Sequence, residues 1–123
     1  SLNDLKWSMS NIRSDSGFVI LTPLSKELTF KNSKSFLAKA KSLLEDHDRA
    51  IAVLNLSNVE IIDSMSLGTL VALLKHVKKI GGDLLVTNLA DPIKVLFNLL
   101  NFNTVFQCFE TVEAAISGFN PND

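Results

Sequence analysis

Three short, unbroken apolar runs, Phe18–Leu21, Ile51–Leu54 and Leu84–Val86, recur along the chain, and the segments between them switch to helical spacing. An apolar run with no polar alternation fits a strand covered on both faces, as parallel strands are when helices pack on either side of them. Between the first and second runs Phe36, Leu37, Ala40, Leu43 and Leu44 follow a helical period, with Asn32 or Ser33 as the cap and the charged "EDHDR" as the end. Between the second and third, Leu67, Leu70, Val71, Leu74 and Val77 fall on one face of a helix. After the third, "ADPIKVLFNLL" starts a helix with Asp91 as cap and Pro92 at its first position. "VFQCF" reads as a last strand, and Thr111 caps a short helix through Val112, Ala115 and Ile116. At the start, Leu5, Trp7 and Met9 alternate with Lys6, Ser8 and Ser10, and the turn "SDSG" at Ser14–Gly17 joins this strand to the first apolar run as a hairpin. This order predicts an α/β fold with a mixed β-sheet of about five strands, an N-terminal hairpin and helices packed on the sheet. A single domain spans residues 1–123, with a core from about residue 5 to 117 and a frayed "GFNPND" tail.

Twelve basic and thirteen acidic residues nearly cancel, and no Lys/Arg run dominates a segment, so nucleic acid is not an expected partner. No apolar run approaches the roughly 20 residues that span a bilayer, which argues against membrane insertion. The start "SLNDLKWSMSNIRS" is too polar for a signal peptide, and Ser1 in place of Met points to a processed or trimmed start. A lone Cys108 has no internal disulfide partner, which fits a soluble protein in a reducing cytoplasm.

Chemistry-bearing residues concentrate at one junction, "EIIDSMSLGTLVALLKHVKK" from Glu60 to Lys79. Asp63 and Ser64 stand where the chain enters its central helix, and Ser64 reads first as a cap for the free backbone amides. Opposite the sheet-facing residues lie Met65, Thr69, Ala72 and His76, flanked by Gly68 and Leu73. The first two turns of that face lack the Lys and Glu of a solvated helix. Gly68 costs about 1 kcal/mol relative to alanine inside a helix. Together these features predict a partner surface. A phosphate on Ser64 would add roughly −1.5 to −2 charges at its edge, opposing docking while the helix dipole tolerates it.

Other candidates read as structural. Gly81-Gly82 end a helix before a strand, the reverse of a phosphate cradle. His47 and His76 have no second ligand at metal spacing. Cys108 reads as an inert core thiol, and Lys75, Lys78 and Lys79 as a solvated face that leaves a weak role toward an acidic partner open. No nucleophile-base pair suggests an enzyme, and no cofactor is expected.

The run "NLSNVEIIDSMSLGTLVALLKHVKKIGGDLLV", followed by "DPIKVLFNLLNFNTVFQCFETVEAAI", resembles the STAS domain of anti-sigma factor antagonists, from about Phe18 to Ile116 and most strongly between Val53 and Val86. Asp63, Ser64, Leu67, Gly68, Gly81, Gly82, Lys94, Leu96, Phe97 and Ala114 carry the likeness. It implies a partner switch. The unphosphorylated protein would bind an anti-sigma factor that is also a serine kinase of the histidine-kinase-like ATPase class, freeing the sigma factor. Phosphorylation of Ser64 would release the complex, and a PP2C-type phosphatase would reverse it. Met65 stands where the family has Ser or Thr, Ser66 where it has Gly, and "LSKELTF" resembles the family's Gly-Glu-Leu-Asp loop with Lys26 for Gly and Thr29 for Asp. Asp63, Met65, Ser66, Gly68, Thr69, Ala72, Leu73 and Thr29 are the expected partner-binding residues. The rival within the same family is a STAS module that is never phosphorylated and serves as a scaffold in a stress-signalling or lipid-transport complex. A response-regulator receiver with Asp63 as acceptor is disfavoured, because the early run ends "ILTPLS" without paired acids and "LLVTNLAD" offers no lysine.

Overall fold

A computed structural model describes residues 7–12 and 17–119, with side chains described from Gly17 onward. The turn expected at Ser14–Gly17 falls outside these residues except for Gly17, as do Leu5 and the tail from Asn120. Strands β1 (Trp7–Ile12), β2 (Phe18–Pro23), β4 (Ile51–Asn55), β6 (Asp83–Thr87) and β7 (Gln107–Phe109) form one sheet in the order β1-β2-β4-β6-β7. β1 runs antiparallel to β2, pairing Ile12 with Phe18 and Trp7 with Pro23, and gives the expected hairpin. The other three pairings are parallel, so Leu21 lies beside Leu54, Leu54 beside Val86 and Val86 beside Cys108.

The apolar runs lack polar alternation because both of their faces are covered. Val19, Leu21, Ala52, Leu54, Leu84 and Val86 point to one face, where Phe36 of helix α1 (Ser33–Leu43), Leu70 of α2 (Ser64–Lys79) and Phe97 of α3 (Asp91–Leu99) pack on them. Phe18, Ile20, Val53 and Leu85 point to the other, against Ala115 of α4 (Val112–Gly118). Alternate residues of each strand thus serve two separate clusters, as the two-residue period of a strand requires.

Local chemistry sets the helix boundaries. Thr111 caps α4 by accepting the Ala114 N–H at 3.0 Å. α2 ends at Gly81, whose φ of +88° lies in the left-handed region, with the Gly81 N–H on the Lys78 carbonyl and the Gly82 N–H on the Val77 carbonyl. Two expectations shift. The cap of α3 is Ala90 rather than Asp91, which occupies the first turn where its charge meets the positive end of the helix dipole; Pro92 follows at the second position, where a missing N–H costs nothing. "VFQCF" contributes only its last three residues to β7. Val105 is exposed, and Phe106 turns inward against Phe97 and Phe102, with ring centroids 6.0 and 5.8 Å away.

One further element had no counterpart in the apolar pattern. β3 (Glu27–Leu28) and β5 (Ile61–Ile62) make a two-stranded parallel sheet with Glu27 beside Ile61 and Leu28 beside Ile62. Leu28 and Ile62 turn into the core while Ile61 turns out. This small sheet brings the loop before α1 to the start of α2.

Candidate functional site

Asp63 holds the junction together. Its backbone is extended, at φ −101° and ψ 175°, and its carboxylate Oδ1 accepts the Ser66 N–H at 2.9 Å, making it the N-cap of α2. The second oxygen, Oδ2, accepts the Phe30 N–H at 2.7 Å, and the Asp63 N–H donates to the Leu28 carbonyl at 3.2 Å. The carboxyl is held below its ordinary value of 3.8, first by the Ser66 N–H and then by the Phe30 N–H, against a partial opposing effect of desolvation. A carboxylate satisfies two donors where a hydroxyl would serve one, and this decides which residue caps the helix. The cap expected of Ser64 therefore belongs to Asp63. Ser64 becomes the first helical residue, exposed, with no hydrogen-bond partner for its hydroxyl among the described residues.

The residues expected to meet a partner divide on burial. Met65 is 56% exposed, Gly68 is exposed, and Thr69 and Ala72 are half-buried, so all four reach the surface near Ser64. The Thr69 hydroxyl donates to the Met65 carbonyl at 3.1 Å, leaving its methyl group to the surface. A Cβ at Gly68 would meet nothing within 4 Å. The fold itself therefore does not require glycine there, and the open space is available to something outside.

Three of the expected contacts lie buried in the folded chain. Leu73 is fully buried in the main core, because α2 lies in a groove between α1 and the sheet and buries a wider face than the five residues of its apolar stripe. Ser66 is 2% exposed, its hydroxyl close enough to Asp63 to lower that carboxyl further but without a bond of proper geometry. Thr29 is also buried, donating its hydroxyl to Glu27 Oε1 at 2.9 Å while its N–H goes to Asn32 Oδ1 at 2.9 Å. Asn32 is thereby drawn away from side-chain capping of α1 and, through its amide NH₂, onto the Glu27 carbonyl. Thr29 shapes the loop from within.

Two surface residues escaped the sequence reading. Phe30 is 66% exposed and Ile61 56% exposed, and both flank Asp63, one through its clamped N–H and the other two positions upstream. The available signal was a large apolar residue beside charged ones, Phe30 next to Lys31 and Ile61 next to Glu60, too short for any periodic pattern. Cys108 is likewise corrected from a core thiol to an exposed one on β7, although the protein packed around it still pushes its pKa up. Lys94 pairs with Glu110 at 2.9 Å, an exposed bridge from α3 to the loop after β7, and the partner's carboxylate raises the Lys94 pKa. No helix is long and apolar enough to cross a membrane, and no group of three His, Cys, Asp or Glu side chains could hold a metal ion, among the described residues.

Comparison with known proteins places this arrangement. The STAS domain model matches residues 10–115. A candidate anti-sigma factor antagonist of Thermotoga neapolitana is 30% identical over 100 residues, covering 80% of this chain and 86% of that protein. The crystal structure of the corresponding Thermotoga maritima protein, also a candidate anti-sigma factor antagonist, superposes with a TM-score of 0.76 at 26% identity over 95% of each chain. The phosphorylated form of the Bacillus cell fate determinant SpoIIAA shares the fold, with a TM-score of 0.63 at 15% identity over 91% of this chain and 97% of that one. The chain belongs to the STAS domain family, among the anti-sigma factor antagonists.

Proposed function

We propose that this protein is a partner switch controlled at Ser64. In its unphosphorylated form it docks an anti-sigma factor of the histidine-kinase-like ATPase class through Met65, Gly68, Thr69 and Ala72 together with Phe30 and Ile61, and so frees a sigma factor. That kinase phosphorylates Ser64 and the complex dissociates; a PP2C-type phosphatase restores the binding form. The chain itself performs no catalytic step.

The observation that carries this reading is the division of labour between Asp63 and Ser64. Because Asp63 does the capping, the Ser64 hydroxyl is left exposed, without a hydrogen-bond partner among the described residues, at the rim of an apolar surface. A phosphate there would sit at a helix N-terminus, where backbone amides and the dipole tolerate it. Docking would require that charge to be desolvated beside Met65 and Ile61 and close to the Asp63 carboxylate, which costs binding rather than folding. The phosphorylated form of SpoIIAA supports the reading as a modified protein of the same fold.

The test mixes the protein, its cognate anti-sigma kinase and ATP, and follows intact mass and complex formation for wild type and Ser64→Ala. One added phosphate on wild type, none on Ser64→Ala, and weaker binding of the phosphorylated form are expected. No phosphate on wild type, or one that persists in Ser64→Ala, overturns the assignment. A phosphate that leaves affinity unchanged removes the switch.

A further inference from the structure

Met65, Gly68, Ala72, Lys75 and Lys79 of α2 recur every three or four residues and fall within roughly 80° of the helix circumference. All five reach the surface, and their sector lies opposite the buried Leu67, Leu70, Leu74 and Val77. One continuous stripe therefore starts apolar beside Ser64 and ends basic about 20 Å along the helix.

The helix dipole accounts for only part of this charge. His76, Lys78 and Lys79 stand in the last turn, where cations are favoured, but Lys75 does not. Lys75 and Lys79 are four residues apart, a like-charge pair that weakens a helix, and α2 holds no Asp or Glu to offset it. The acids near this end of α2 have other company. Lys78 bridges to Asp83 at 3.8 Å on one flank. On the other, Glu45 and Asp48 share the groove between α1 and α2 with Lys41 and His76. Neither Lys75 nor Lys79 has an ion-pair partner among the described residues.

We infer that the anti-sigma partner lays one segment along the whole stripe, apolar where it meets Met65, Gly68 and Ala72 and bearing carboxylates where it meets Lys75 and Lys79. This rests on the docking face proposed for the unphosphorylated protein and adds the partner's chemistry to it. Continuity and charge select the occupant. Gly68 and Ala72 keep the middle of the stripe low, with open space above Gly68, so another backbone can lie against it. A segment that follows α2 for two more turns then reaches two unpaired ammonium groups. A second copy of the stripe is a worse match, since it brings no carboxylate to either lysine.

The test is the rate at which the unphosphorylated chain binds and leaves its cognate anti-sigma kinase. Wild type is compared with Lys75→Gln/Lys79→Gln, Lys75→Arg/Lys79→Arg and Met65→Ala. The Gln pair is expected to slow association about five- to tenfold, with little change in dissociation and a weaker dependence on salt. The Arg pair should bind like wild type, and both pairs should melt like it, because both lysines are exposed. Met65→Ala, by contrast, should speed dissociation. A Gln pair that associates as fast as wild type, while Met65→Ala weakens the complex, overturns the acidic segment and leaves the docking face standing. A wild-type chain that does not bind the kinase overturns the docking face and this inference with it. Vesicles containing phosphatidylserine are the second probe. Lysine-dependent binding to them, with kinase association unchanged, gives the pair to an anionic membrane surface and likewise overturns the proposal.

Discussion

The Asp63 carboxylate joins two parts of the chain that lie 33 residues apart, accepting the Phe30 N–H at 2.7 Å with one oxygen while the other caps α2. Both bonds favour the ionised carboxyl, so its folded pKa lies below the ordinary 3.8. A depressed folded value means that the contribution to stability is complete above the unfolded pKa and is lost as pH falls through the folded one. Wild type should therefore lose melting temperature more steeply than Asp63→Asn below about pH 4, because asparagine caps nearly as well and does not titrate. Thermal melts from pH 7 down to pH 2 compare the two; parallel acid limbs would contradict this account of Asp63.

Ser64→Ala separates the two readings of the serine. A serine that caps a helix costs about 1 kcal/mol when replaced by alanine. An exposed residue in the first turn, next to a cap that is already filled, should change stability by no more than about 0.5 kcal/mol. Urea unfolding of the two proteins measures the difference, and a loss of a full kilocalorie would return the cap to Ser64.

What the sequence displayed was whatever leaves a period. The buried strands appear as unbroken runs at Ile51–Leu54 and Leu84–Val86, and α2 shows its stripe through Leu67, Leu70, Leu74 and Val77, because solvent exclusion acts on every residue of those elements. The two-residue strands β3 and β5 are too short to carry a period, so the proximity of Phe30 to Asp63 was hidden even though the resemblance of "LSKELTF" to a family loop pointed there. Leu73 was misplaced for a related reason. Its position on an ideal helical wheel is at the margin of the stripe, and only the packing of α1 against α2 puts it inside. Asp63 and Ser64 were both candidate caps by residue type. The choice between them depended on the Phe30 N–H, a donor from the separate loop before α1.

Leu73 and Met65, eight residues apart on the same helix but opposite in burial, would respond oppositely to truncation. Leu73→Ala removes a fully buried side chain and should cost about 2–5 kcal/mol by cavity formation. Met65→Ala removes one that is mostly exposed and should leave stability within about 0.5 kcal/mol. On the proposed function Met65→Ala weakens binding to the anti-sigma partner, whereas Leu73→Ala acts on binding only through the folded fraction. Denaturation curves paired with titration calorimetry distinguish the two effects.

Gly68 and Gly82 show what a glycine is for in each place. A Cβ at Gly82 would collide with the Ala50 carbonyl oxygen, so Gly82→Ala must push apart the end of α2 and the start of β4 and should destabilise by more than about 1 kcal/mol. A Cβ at Gly68 meets nothing, and alanine restores the backbone entropy that a helical glycine forfeits, so Gly68→Ala should stabilise by about 0.5–1 kcal/mol. A residue that lowers stability without serving the fold is explained if another surface must come close to the backbone there. Gly68→Ala should then raise the melting temperature and at the same time lower affinity for the anti-sigma partner by about tenfold, the equivalent of 1.4 kcal/mol. Melting curves and binding titrations on the same preparation give both quantities; a variant that is more stable and binds as well as wild type would show that no partner approaches Gly68.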